Sequence, residues 1–177
     1  MKHVVLVNEK DEELGTMEKL QAHQLGRLHR AFSVFIFNSE GRLLIQKRAV
    51  GKYHSGGLWT NTCCSHPELG ENVIEAAQKR LISEMGINCM LEFLFTECYE
   101  LIVGNGLIEH EFDHVFFGIS DDLPNFDPEE VETFNYISEE ELALAMLQLP
   151  EEFTEWFKLI WSKVFDVFRQ RKMGYIN

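Results

Sequence analysis

Apolar positions along the chain follow two rhythms, and the switch between them marks out the elements. Val4 to Val7 and Phe32 to Phe37 are short β-rich runs, and Asn38-Ser39-Glu40-Gly41 before Leu43-Leu44-Ile45 reads as a hairpin with a glycine-containing turn. Leu58 to His66 reads as a further extended segment. The period then lengthens: Val73, Ile74, Ala77, Leu81 and Met85 fall at helical spacing, and Gly86 follows as a stop. Met90 to Tyr99, Ile108 to Ile119 and Glu132 to Ile137 return to strand character. Ser138 with Glu141 three residues on is a capping box for a helix through about Leu147. After Pro150, Phe153, Trp156, Phe157, Ile160, Trp161, Val164, Phe165 and Phe168 share one side of a long helix. With no repeat and no Pro/Ser-rich linker, the order predicts one mixed α/β domain over residues 1–177.

Composition narrows the class. In 177 residues, 45% hydrophobic content with 14 Phe fills a core, and 25% charged residues wet the surface, so disorder is excluded. The longest apolar runs, such as Ala31 to Phe37, fall far short of the roughly 20 residues of a membrane-spanning helix. The N-terminal stretch turns acidic before a signal-peptide core develops, so a soluble cytoplasmic protein without a membrane partner is expected. With 16 Lys+Arg against 29 Asp+Glu, the net charge of −13 opposes nucleic-acid binding, which needs a basic face. Any anionic ligand must therefore meet a local basic cluster. Cys63, Cys64, Cys89 and Cys98 form neither a disulfide framework nor a CxxC zinc motif, and are expected to be reduced.

Three groups of residues carry candidate chemistry. Glu109 and Glu111 lie two apart on an expected strand, so both carboxylates leave one face and His110 the other. The same alternation puts Cys64 and His66 on one face and Cys63 on the opposite one. His23 and His29 frame a segment interrupted by Gly26, which allows both imidazoles to converge from a loop. Three imidazoles and two carboxylates make a mixed N/O set suited to Zn, Mn or Fe, whereas Mg sites prefer oxygen. From spacing alone, separate surface histidines and a solvated strand face are the commoner origin of such a pattern. Lys47, Arg48, Lys52, Lys79 and Arg80 offer forks and point charges for a phosphate or diphosphate, although a short basic patch is more often a solvated face. Trp59, Tyr99, Trp156 and Trp161 offer a pocket wall or a π face for a cation, although aromatics at helical spacing mostly build core.

Taken in order, GTMEK, HxxxxxH, WTNTCCSHP, the helix KRLISEMG and the E-H-E strand resemble the type I isopentenyl diphosphate isomerases of the Nudix superfamily, from about Val4 to Trp156. The resemblance implies a Nudix-type mixed β-sheet sandwiched by helices, with a C-terminal helical lid. It also implies interconversion of isopentenyl and dimethylallyl diphosphate in isoprenoid biosynthesis. The implied ligands of one divalent metal, Mn2+ or Zn2+ with Mg2+ as the other option, are His23, His29, His66, Glu109 and Glu111. The implied catalytic pair is Cys64 and Glu111, with Tyr99 assisting the carboxylate and Trp156 facing the developing cation. Lys19, Arg48, Lys52 and Arg80 fall at diphosphate-binding positions, and Glu84 at the position that holds the diphosphate's Mg2+. The partner is then a small isoprenoid diphosphate, and the chain a monomer or weak homodimer.

Where Nudix hydrolases read G-x5-E-x7-R-E-U-x-E-E-x-G, this chain has Ser65, Glu71, Lys79, Arg80, Ser83, Glu84 and Gly86. The acidic cluster that would activate water is broken, which favours isomerisation over hydrolysis. In the forward direction Glu111 is expected to donate the proton and Cys64, as thiolate, to remove one from C2. A diphosphate hydrolase and a non-catalytic binding module are the alternatives. Two departures from the family pattern stand out. His54-Ser55-Gly56-Gly57 replaces an aromatic-Pro-Gly turn and is expected to loosen it, and the His23–His29 spacing is one residue tighter.

Overall fold

The computed structural model describes residues 2–172, so both ends of the domain expected over 1–177 lie outside it. The described residues hold nine strands and four α-helices in the order β1 (His3–Val7), β2 (Glu13–Glu18), α1 (Lys19–Leu25), β3 (His29–Phe37), β4 (Leu43–Arg48), β5 (Trp59–Thr60), β6 (Cys63–Ser65), α2 (Val73–Met85), β7 (Leu91–Val103), β8 (Leu107–Ile119), β9 (Val131–Ile137), α3 (Glu139–Gln148) and α4 (Glu155–Lys172). Every element expected from periodicity is present. β2 and α1 are additional, and His23 and His29 consequently sit on a helix and on the first residue of a strand rather than in a loop.

β3 organises the sheet. All nine of its residues are buried. Along one edge it pairs in parallel with β8 from His29↔Glu111 to Phe37↔Ile119. Its other edge is shared in succession by β1 at His29, β6 at Phe32–Val34 and β4 at Ile36–Phe37. Alternation sends Phe35 and Phe37 to one face, where they pack with Phe157, Ile160, Val164 and Phe165 of α4. Phe32, Val34 and Ile36 go to the other face, against Ala76, Ala77, Leu81 and Met85 of α2. A mixed sheet between two helices follows directly from that division. Asn72 caps α2 through its side chain, and Gly86 ends it in the left-handed region (φ 69°), where a Cβ would lie 2.6 Å from the Asn125 carbonyl oxygen. Among the described residues no helix is long and apolar enough to cross a membrane.

Candidate active site

A cavity of about 940 Å³ opens over the N-terminal half of β3, lined from α1, the 49–57 loop, β6, α2, β8 and the first turn of α4. Glu111, which lines it, belongs to a register row that crosses three strands: Tyr99 of β7 pairs with Glu111 of β8, which pairs with His29 of β3. Side chains in one row leave the sheet on the same side, so the sheet itself gathers these three groups. Tyr99 donates to Glu111 Oε2 at 2.5 Å, and His66 Nε2 lies 2.8 Å from Oε1. His23 arrives from α1, with Nε2 3.0 Å from Glu109 Oε2.

His23, His29, His66, Glu109 and Glu111 each present a donor atom, and all these atoms lie within 4.8 Å of one another. Three observations fit this set to a divalent cation. His23 Nδ1 lies 2.6 Å from the Lys19 carbonyl oxygen and His29 Nδ1 2.8 Å from that of Arg27. Those bonds consume the Nδ1 protons and leave bare Nε2 lone pairs turned inward, the usual way an outer hydrogen bond orients a metal-binding imidazole. His29 Nε2 and His66 Nε2 then face each other at 3.2 Å, an arrangement that asks for a cation or a shared proton. Among the described residues, Glu109 Oε2 is buried with no hydrogen-bond partner.

Electrostatics follow from burial. Desolvation and the Lys19 charge push His66 down to about 3, so its imidazole is neutral and available as a ligand. Burial also pulls at His23, but the Glu109 contact outweighs it and raises the net value. Despite burial, the facing imidazoles hold Glu109 well below the usual carboxylate range, with His23 and His54 responsible, and His29 and His66 lower Glu111. Burial pushes the Cys64 thiol up to about 12 against the opposing Arg48 charge. Burial thus favours the thiol form of Cys64, and the facing imidazoles favour the carboxylate form of Glu111. Asp113, next on the Glu109–Glu111 face, is fully buried, and desolvation followed by Glu111 raises it well above the carboxylate range.

The remaining expected residues divide. Lys19, Arg48, Lys52, Arg80 and Glu84 line the cavity, as do Cys64 and Trp156. Arg80 bonds Glu84 Oε2 and Glu130 Oε2, both at 2.7 Å, while Lys52 also meets Glu130. Glu84 Oε1 accepts from Gln46 at 2.7 Å, so both its oxygens are already engaged. Lys47 instead pairs with Glu132 away from the cavity, whereas Lys79 lines the cavity too and pairs there with Glu71. Cys63 is fully buried under α2, its sulfur 3.9 Å from Glu84 Oε2. Trp156 is held by its Nε1–H to Asn61 Oδ1 at 3.3 Å, with the Arg48 guanidinium 5.3 Å over its ring. Trp59 and Trp161 pack on the core beside α4. That helix is core along its length and a wall of the cavity only at its first turn.

The turn expected to be loose is instead closely fitted. Ser55 and Gly57 have positive φ (51° and 76°), and a Cβ on Gly56 would come within 2.6 Å of the Val50 carbonyl oxygen. Arg48 ties down the backbone, bonding the carbonyls of Ser55 and His54. Sequence reasoning missed His54, Tyr53 and Glu130 at this site: nothing in their spacing links them to the strand ligands, and only the fold brings them in.

Residues 27–157 match the NUDIX domain family. The isopentenyl-diphosphate Delta-isomerase of Pectobacterium atrosepticum is 52% identical over 96% of this chain and 94% of its own length. The chain belongs to the isopentenyl-diphosphate Delta-isomerases. A protein of that name from Streptomyces griseus is 46% identical over 93% of this chain and 84% of its own length. In fold, the chain resembles the crystal structure of DR0079 from Deinococcus radiodurans, with TM-score 0.70, 21% identity and coverage of 82% of this chain and 89% of that one. Within a NUDIX frame, this isomerase family member carries Arg80 and Ser83 where the hydrolase pattern has glutamates, while Lys79 stands at that pattern's Arg and Glu84 keeps its Glu.

Proposed function

We propose that this chain interconverts isopentenyl and dimethylallyl diphosphate, moving one proton on and another off the carbon skeleton. The observation that carries the reading is the buried row Tyr99–Glu111–His29, whose Glu111 lines the same cavity that Cys64 lines from β6. An isolated alkene is a weak base, so protonation at the terminal carbon needs a placed acid, and removal of a C2 proton needs a base on the other side. Cys64 and Glu111 come from strands on opposite edges of β3 and supply those two groups. With sulfur protonated and carboxylate ionised, Cys64 is the donor and Glu111 the acceptor in this resting form. The form with the proton on Glu111 runs the reaction in the other sense. Tyr99 holds Glu111 Oε2 and supports its charge. Trp156 presents a π face to the tertiary cation, and the buried wall excludes water that would trap it as an alcohol.

Lys19, Arg48, Lys52 and Arg80 bind the diphosphate. Glu84 beside Arg80 is the carboxylate that would meet the diphosphate's Mg2+, through the lone pairs that Gln46 and Arg80 leave free. His23, His29, His66, Glu109 and Glu111 would hold one Mn2+ or Zn2+, with Mg2+ as the other option, and the ion would fix Glu111 and lower its basicity. The protein acts as a single domain on a small isoprenoid diphosphate in the cytoplasm. Proton NMR of isopentenyl diphosphate in deuterated buffer tests the reading. Appearance of deuterated dimethylallyl diphosphate, lost in Cys64→Ala, is the expected result, and release of phosphate without isomer exchange overturns it.

A further inference from the structure

We propose that His54 is a positioning residue for the metal centre: it fixes the orientation of Glu109 and ties that centre to the loop that binds the diphosphate. The inference rests on the metal-centre reading above.

His54 is only 5% exposed, and its Nε2 lies 2.9 Å from Glu109 Oε1. Its Nδ1 lies 3.2 Å from the Ser55 hydroxyl oxygen. With the hydroxyl donating to Nδ1, the proton sits on Nε2 and is donated to Oε1. The two oxygens of Glu109 thereby differ. Oε1 is engaged by His54, while Oε2 is the buried atom that has no hydrogen-bond partner among the described residues and faces His23 Nε2, whose lone pair is bare. A carboxylate free to rotate about its terminal torsion would offer either oxygen, whereas one pinned at Oε1 keeps Oε2 aimed inward. That is the task of an outer hydrogen-bond partner at a metal site.

The same imidazole sits in a loop tied to the diphosphate residue Arg48 and to the turn between β7 and β8. Its own carbonyl accepts from Arg48 Nη2, and the preceding Tyr53 carbonyl accepts from Asn105 Nδ2. Lys52 lies two residues back. His54 also abuts Trp156 edge-on, with ring centroids 6.0 Å apart. A cation drawing Glu109 Oε2 inward therefore loads the Oε1–His54 bond and orders residues 49–57. In this way metal occupancy and the basic loop share one hydrogen bond.

The test uses the purified full chain stripped with chelator, with Mn2+ affinity measured by competition and amide hydrogen exchange of residues 49–57 followed with and without Mn2+. His54→Ala is expected to weaken Mn2+ binding by about 10–100-fold, as loss of an outer partner does, and to abolish the Mn2+-dependent protection of the loop. His54→Gln, whose amide N–H reaches the same oxygen, is expected to recover most of both. His114→Ala, outside the cavity, serves as control. Should the alanine variant fail to fold by circular dichroism, His54→Met, which keeps bulk without a donor, replaces it. Wild-type affinity in the donor-free variant, or equal loss in the donor-free and Gln variants, overturns the role of His54 while leaving the metal centre intact. A wild-type chain that binds no Mn2+ overturns the metal centre and this inference together.

Discussion

Tyr99 lies directly across the β7–β8 ladder from Glu111, and its hydroxyl donates to Oε2 at 2.5 Å. Burial and the Glu111 charge raise the phenol's pKa well above its ordinary value, so it is a donor throughout the working range. Hydrogen bonds to charged groups are worth about 1.5–3 kcal/mol. Tyr99→Phe is therefore expected to lower kcat by about 10–100-fold, with metal stoichiometry unchanged. Loss of metal in this variant would make Tyr99 a support of the ligand set instead.

Cys63 and Cys64 are neighbours with opposite environments, one under α2 and the other in the cavity. Cys64→Ala is expected to reduce turnover by at least about a hundredfold, as removal of a general acid or base does. Cys63→Ala is expected to act on stability alone, at about 1 kcal/mol for a small buried cavity. Steady-state rates and thermal melts of both variants separate the effects, and comparable loss of rate from each would defeat the assignment of faces.

His66 gives a pH dependence. The unfolded chain takes up this proton near pH 6.5, whereas the folded one does so only near pH 3 because burial disfavours the charge. Between those values the unfolded state binds more protons, so the metal-free protein loses stability as pH falls, by at most about 1.4 kcal/mol per unit from this group. His66→Gln is expected to show a shallower decline of Tm over that window, together with reduced metal content at neutral pH. An unaltered slope would contradict the buried neutral imidazole.

Trp156 tests the cation wall. Trp156→Phe keeps a π face of smaller reach and is expected to cost about tenfold in kcat, in line with about 1–2 kcal/mol for a desolvated cation–π contact. Trp156→Leu keeps the volume without the face and is expected to cost clearly more, with similar KM. Equal rates for the two variants would reduce Trp156 to a packing role.

What could be read from the sequence had periodic causes. β3, β8, α2 and α4 announce themselves because one face of each is buried, and the period-2 rule alone places Glu109 with Glu111 and separates Cys63 from Cys64. β2 was illegible because four of its six residues are exposed and it carries no apolar alternation. α1, at seven residues, is too short for a helical stripe. His54 reaches Glu109 across 55 positions through a tertiary contact that no local pattern encodes. The proton affinity of Cys64 is non-local for a related reason: it follows from burial and from charges on three other elements, β4, α2 and β8.

The first turn of α4 closes the cavity with Trp156, although the other groups at its floor all lie before residue 112. The group that could hold an ion is thus drawn from residues 23–111, and the indole wall from a separate stretch some forty residues further along. Substitutions in the first turn of α4 can therefore change how dry the cavity is while every ion-facing atom stays in place.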